Sequence, residues 1–193
     1  MKKLQYLIIH CSATPEGTEK TAKEIWMMHT DPAPLPGGGY RYMGKDYLTA
    51  SDLPPAVQSP KRRGRGWSQY GYTDMIHLNG MLENLVPHND DEWVDPREVT
   101  NGALGMNAVS RHLMYVGGMT ADLKGHFDSR TVAQKLAMTN YIRHVISRHP
   151  NILVGGHNQF AVKACPSFDV PKWLRGIGIA EKNICQKPLM YKV

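Results

Sequence analysis

Three side chains combine types and positions that allow chemistry. His10 closes the apolar run LQYLIIHC, His157 follows the apolar run NILVGG, and Cys165 lies eight residues after His157 with Lys163 two positions before the thiol. Strand ends commonly present functional groups, and both histidines fall at the ends of strand-like runs. Two imidazoles and one thiolate form a three-ligand set that leaves a zinc ion an open fourth position for water. A cation at Lys163 would then sit where an oxyanion develops. The residues alone leave other readings open. The eight-residue step matches no standard zinc-finger spacing, and on spacing an inert, packed thiol stands ahead of a ligand. Cys165 could also be a nucleophile served by a histidine base.

These residues need elements to hold them. Leu4 to Cys11 is short, apolar and rich in β-friendly residues, as suits a strand buried on both faces. Alternation sends His10 and Cys11 to opposite sides, so at most one of them reaches a given site. Thr18 to His29 reads as a helix with Ala22, Ile25, Trp26 and His29 on one stripe. Residues 30–66 lack periodicity, carry DPAPLPGGG and DLPP, and end in the basic cluster KRRGR, which predicts a long inserted loop. Asn79-Gly80 between two apolar segments predicts a hairpin, and RHLMYVGG (111–118) a further strand. Thr131 and Gln134 form a capping-box pair opening a helix through Met138, Tyr141, Ile142 and Val145 that stops at Pro150. NILVGG delivers His157 past its end, and Asp169 before Val170-Pro171 caps a short last helix. The remaining histidines have plainer roles: His29, His144 and His149 on or near helix faces, His77 and His112 in strands, His88 and His126 in polar loops.

With 193 residues the chain fits one α/β domain with a real core. No apolar stretch approaches the roughly 20 residues of a membrane span. The start, MKKLQYLIIHC, has a positive lead but no readable signal peptide, so synthesis is expected in the cytoplasm. Three cysteines, at 11, 165 and 185, fit no disulfide framework and point to free thiols. A net charge of +6 favours an acidic partner, either nucleic acid or an anionic envelope.

Four stretches in order, LIIHCSAT (7–14), GYTD (71–74), YVGG (115–118) and GHNQFAVKACPSFDV (156–170), resemble the zinc-dependent N-acetylmuramoyl-L-alanine amidases of the bacteriophage lysozyme type. These are relatives of the peptidoglycan-recognition proteins. The resemblance spans most of the chain outside residues 30–66 and the tail. It implies a mixed central β-sheet flanked by α-helices, an amidase domain over residues 1–176 with the loop 30–66 inserted, and a C-terminal tail over 177–193. It implies His10, His157 and Cys165 as zinc ligands, Tyr72 and Lys163 as the catalytic pair, and Asn107 and Trp67 as substrate contacts. The implied reaction is hydrolysis of the amide between N-acetylmuramic acid and the first L-alanine of the stem peptide. Peptidoglycan or a muropeptide is then the partner, and no nucleic acid is expected. Two departures bear on substrate contacts: Thr73 stands where many relatives have a histidine after Gly-Tyr, and Gly102 stands near where some have a substrate-contacting histidine. The competing readings are a non-catalytic peptidoglycan-binding module and a nucleic-acid-binding protein using the basic insertion. The setting is that of a phage or prophage lysin, or of a wall-recycling enzyme.

Overall fold

The apolar run near the start of the chain becomes a strand because its β-branched and aromatic residues fit a pleated surface covered on both sides. A computed structural model describes residues 1–191. In chain order the strands are β1 (Lys2–Lys3), β2 (Tyr6–Cys11), β3 (Thr14–Pro15), β4 (Ala33–Pro34), β5 (Tyr40–Tyr42), β6 (Lys45–Tyr47), β7 (Asp74–Ile76), β8 (Leu82–Asn84), β9 (Trp93–Val94), β10 (Ser110–Tyr115), β11 (Gly118–Met119) and β12 (Leu153–Gly156). The helices are α1 (Ala22–Thr30), α2 (Val132–Arg148) and α3 (Val170–Gly176). The chain divides into two units, one of Lys20–Gly71 and one of Met1–Glu19 with the residues from Tyr72 onward.

The larger unit is built on a mixed five-stranded sheet of order β12-β2-β10-β7-β8. β12, β2, β10 and β7 run parallel, and β8 returns antiparallel through the Asn79-Gly80 hairpin. In-register partners point to the same side, so Leu7, Ile9, Cys11, Leu113, Tyr115 and Ile76 share one face. Met138, Ile142 and Val145 of α2 and Val170 and Leu174 of α3 pack on that face as a single core. His10, Met114 and His112 share the other face.

α2 starts where its sequence predicts. Thr131 Oγ1 accepts from Gln134 N at 3.0 Å, and Gln134 Oε1 accepts from Thr131 N at 2.9 Å. The buried Gln134 amide also donates to Val116 O at 2.9 Å, tying the first turn to the sheet. Asp169 caps α3 by accepting from Lys172 N at 2.9 Å. No helix among the described residues is long and apolar enough to cross a membrane.

The segment from 177 onward has no periodicity to read, and its described part packs on the larger unit. Cys185 N donates to Val154 O at 2.8 Å, Ile184 bridges Val154, and the buried Asn183 amide donates to Pro150 O and Ile152 O. Single backbone bridges and side-chain amides do this work, and neither leaves a repeating pattern in sequence.

In the smaller unit α1 opens at Ala22, four residues after the expected start. Thr21 and Glu24 supply a reciprocal cap that Thr18 lacks, with Thr21 N donating to Glu24 Oε2 at 2.9 Å. The stretch read as a loop carries a three-stranded antiparallel sheet, β4-β5-β6, whose two- and three-residue strands are too short to show alternation. Much of the basic cluster is committed inside this unit. Arg62 pairs with the buried Asp31, and Arg63 donates to Ser59 O and Arg62 O while lying over the Tyr40 ring.

Candidate metal centre

Parallel strands place their carboxyl ends at one edge, and β2 and β12 are direct neighbours with Gly156 opposite Ile9. One residue further along each strand brings His157 beside His10, and their ring centroids are 4.6 Å apart. Close packing explains Gly156, since a Cβ there would lie 2.5 Å from Asn158 Oδ1 and 2.9 Å from Val170. The chain after His157 folds back and brings Cys165 to the same edge. Tyr115 Oη donates to Pro166 O at 2.7 Å, and Ser167 Oγ donates to Gly118 O at 2.8 Å. Gly118 takes φ 102°, and a Cβ on it would meet Cys11 Sγ at 2.6 Å, so the second glycine of YVGG is what lets this loop close.

The donor atoms of His10, His157 and Cys165 all lie within 4.8 Å of one another. Cys165 Sγ is 3.6 Å from His10 Nδ1 and accepts from Cys11 N at 3.3 Å. The Cys11 side chain turns to the core face, as alternation requires, with its Sγ 3.6 Å from Ser167 Oγ. A tetrahedral zinc ion with legs of about 2.05 Å to nitrogen and 2.3 Å to sulfur sets those donors roughly 3.6 Å apart. The nitrogen–sulfur pair already has that spacing. Both histidines are buried and Cys165 is half-buried. Burial, with the neighbouring Cys11 sulfur adding to it, pushes the Cys165 thiol above its ordinary pKa, a shift that a divalent cation on the sulfur would oppose. The residues present therefore fit the ion.

Tyr72 stands just before β7 with its ring 5.2 Å from that of His10 and its hydroxyl donating to Cys11 O at 3.4 Å. Lys163 is exposed on the loop that delivers Cys165. Asn107 belongs to the larger unit, and its Oδ1 accepts from Ala103 N at 2.8 Å, closing a turn. Trp67 belongs to the smaller unit, stacked on His29 at 5.2 Å with the Arg65 guanidinium over it. Sequence reasoning passed over His112. This ring is fully buried on β10, with Nδ1 3.0 Å from His10 Nε2. Burial, with the neighbouring His157 adding to it, holds its pKa down at about 3. Nothing local in RHLMYVGG distinguishes it, because its meaning lies in the register of β10 against β2.

A second concavity opens on the α2 side of the sheet, lined by Asp74, Asn84, His88, Arg111 and Tyr141. Its buried carboxylate is already satisfied: Asp74 accepts from Tyr141 Oη at 2.6 Å and Asn84 Nδ2 at 2.8 Å, with His88 Nε2 at 3.4 Å.

The architecture matches known structures. The N-acetylmuramoyl-L-alanine amidase LysC from Clostridium intestinale superposes with a TM-score of 0.56 at 16% identity, over 92% of this chain and 87% of that one. Bumblebee PGRP-SA does so with a TM-score of 0.54 at 15% identity, over 97% of this chain and 87% of that one. The fold is thus that shared by peptidoglycan recognition proteins and this amidase class. No family model matches the chain. The endolysins of Escherichia phage T7 and Enterobacteria phage T3 are each 31% identical over 168 residues, 86% of this chain and 83% of theirs. The chain belongs to this family of phage endolysins.

Proposed function

We propose that the protein is a zinc-dependent N-acetylmuramoyl-L-alanine amidase, hydrolysing the amide between the lactyl group of N-acetylmuramic acid and the first L-alanine of the peptidoglycan stem. The observation that carries this is the convergence of His10, His157 and Cys165 within 4.8 Å at the parallel strand ends, with the Tyr72 ring against His10. Membership among phage endolysins and the amidase fold support the same reading.

His10, His157 and Cys165 would hold the ion. Bound zinc supplies Lewis acidity toward the scissile carbonyl and toward the attacking water. The other groups do ordinary hydrogen-bond and charge chemistry. The Tyr72 hydroxyl orients the attacking water or donates to the tetrahedral intermediate. The Lys163 ammonium stabilises the oxyanion as it develops. The buried flank formed by His10 and His157 limits water on one side and so strengthens these contacts.

Mass spectrometry of purified peptidoglycan after digestion tests the reading, because it reports bond and substrate together. Free stem peptides beginning with L-alanine, and glycan strands retaining intact lactyl groups, are expected. Metal analysis should give about one zinc per chain, lost with activity in Cys165→Ala. Release of sugars or cross-bridge fragments instead, or an active and zinc-replete Cys165→Ala, would overturn it.

A further inference from the structure

We infer that His112 is the positioning residue for His10: its Nδ1 accepts a proton-bearing Nε2 of His10 and so fixes which nitrogen His10 presents to the ion. The inference rests on the metal reading above and concerns a residue outside the ligand set and the catalytic pair.

The geometry begins in the strand register. β2 and β10 run parallel with Ile8 opposite His112 and His10 opposite Met114, so His10 and His112 are diagonal neighbours on one face. Their nitrogens, His10 Nε2 and His112 Nδ1, are 3.0 Å apart. That is hydrogen-bond length, and two neutral imidazoles can satisfy it only with one proton between them. The other nitrogen of His10, Nδ1, is the atom that faces Cys165 Sγ at 3.6 Å. A metal-bound nitrogen carries no proton, so in a neutral ligand ring the proton of His10 sits on Nε2 and points at His112. His112 Nδ1 must then be bare and its own proton must be on Nε2.

The surroundings of His112 agree with a residue kept for this contact. The ring is fully buried, and His112 Nε2 has no hydrogen-bond partner among the described residues. An orphaned buried donor keeps its full desolvation cost, whereas leucine or phenylalanine would fill the space without it. Packing alone therefore favours a different residue here. The backbone is clamped as well: His112 N donates to Thr73 Oγ1 at 3.1 Å, and Thr73 N donates to His112 O at 2.8 Å. One threonine thus holds both polar groups of the His112 backbone, and the imidazole is delivered to a fixed place. Ligand histidines usually lean on a carboxylate or a carbonyl, which makes the ligand more basic. A neutral imidazole orients His10 without adding negative charge to the centre.

Two measurements test this. In zinc-loaded wild-type protein, long-range ¹H–¹⁵N correlation spectra report the tautomer of each imidazole without any mutation. The expected result is His10 protonated on Nε2 and His112 protonated on Nε2. His112 protonated on Nδ1, or His10 bound through Nε2, overturns the inference. The second measurement is zinc affinity by chelator competition, made directly on folded variants. His112→Leu should bind zinc about 10- to 100-fold more weakly. His112→Asn, whose Oδ1 takes the place of Nδ1, should stay within a few-fold of wild type. Equal weakening in both variants would mark a packing role and overturn the inference, as would unchanged affinity in His112→Leu. Zinc bound as expected by a protein that cleaves no peptidoglycan would sink the proposed function and leave the role of His112 standing. No zinc bound by wild type would sink both.

Discussion

At the scale of single residues, hydroxyl and ammonium chemistry separates from metal binding. Tyr72 has two contacts of different kinds, ring to ring with His10 and hydroxyl to Cys11 O. Tyr72→Phe keeps the first and deletes the second. If the hydroxyl acts on the tetrahedral intermediate, removing it should cost about 10²- to 10³-fold in kcat while zinc stays near one per chain. A phenylalanine variant that turns over at the wild-type rate would confine Tyr72 to packing against the ligand. His10 and His157 stand out in sequence because each closes an apolar, strand-like run, whereas Cys165 sits in a loop where spacing alone favours an inert thiol and only the resemblance to the amidases makes it a ligand. His112 does not stand out. It lies mid-strand, 102 positions from His10, and only the register of β10 against β2 makes the two neighbours. For Asn107 and Trp67 the turn to Ala103 and the stack on His29 are tertiary contacts that residue type does not encode.

Elements were legible where local chemistry decides them and obscure where it does not. The Thr131/Gln134 cap, the Asn79-Gly80 hairpin and the Asp169 cap all formed where their residues stand. The start of α1 moved because two threonines compete for the cap and only Thr21 has a glutamate three residues on. The small sheet in residues 30–66 went unseen because its strands are too short for alternation to show. Within that unit His29 predicts a pH response. It is buried, its Nδ1 accepts from Gly71 N at 3.2 Å, and it stacks on Trp67. Burial, then the charge of Arg65, lowers its pKa to about 4, against the usual value near 6.5 in an unfolded chain. The sign follows from proton uptake. Between those values the unfolded chain binds a proton that the folded one refuses, so stability is full above pH 6.5 and falls as pH drops toward 4. The loss amounts to about 3 kcal/mol and levels off below pH 4. Hydrogen exchange across residues 20–71, corrected for intrinsic rates, should show that loss in wild type and lack it in His29→Gln. A wild-type profile flat from pH 7 to 4 would mean that the ring is protonated or relocated without penalty.

For the whole molecule the decisive feature is topology, because a parallel sheet gathers distant segments at one edge. Residue 10 arrives on β2, residue 157 leaves β12 beside it, and residue 165 returns on a loop fastened by Tyr115 and Ser167. An ion held by all three would cross-link β2 to a loop 155 residues away. Such binding should be worth folding free energy, because the ligands converge only in the native state. With free zinc at about 1,000 times its dissociation constant the gain is about 4 kcal/mol. In a chain of this length each kcal/mol moves Tm by roughly 2–4 °C, so stripping the metal should lower Tm by roughly 10 °C. Thermal melts before and after dialysis against a chelator, with zinc content measured in both samples, check this. Restoring one equivalent of zinc should restore the melt. Cys165→Ala, short of one ligand, should melt near the stripped wild type and respond little to chelator. If wild type loses its zinc and melts unchanged, the ion binds the folded chain no more tightly than the unfolded one, and the three converging side chains do not form a native metal site.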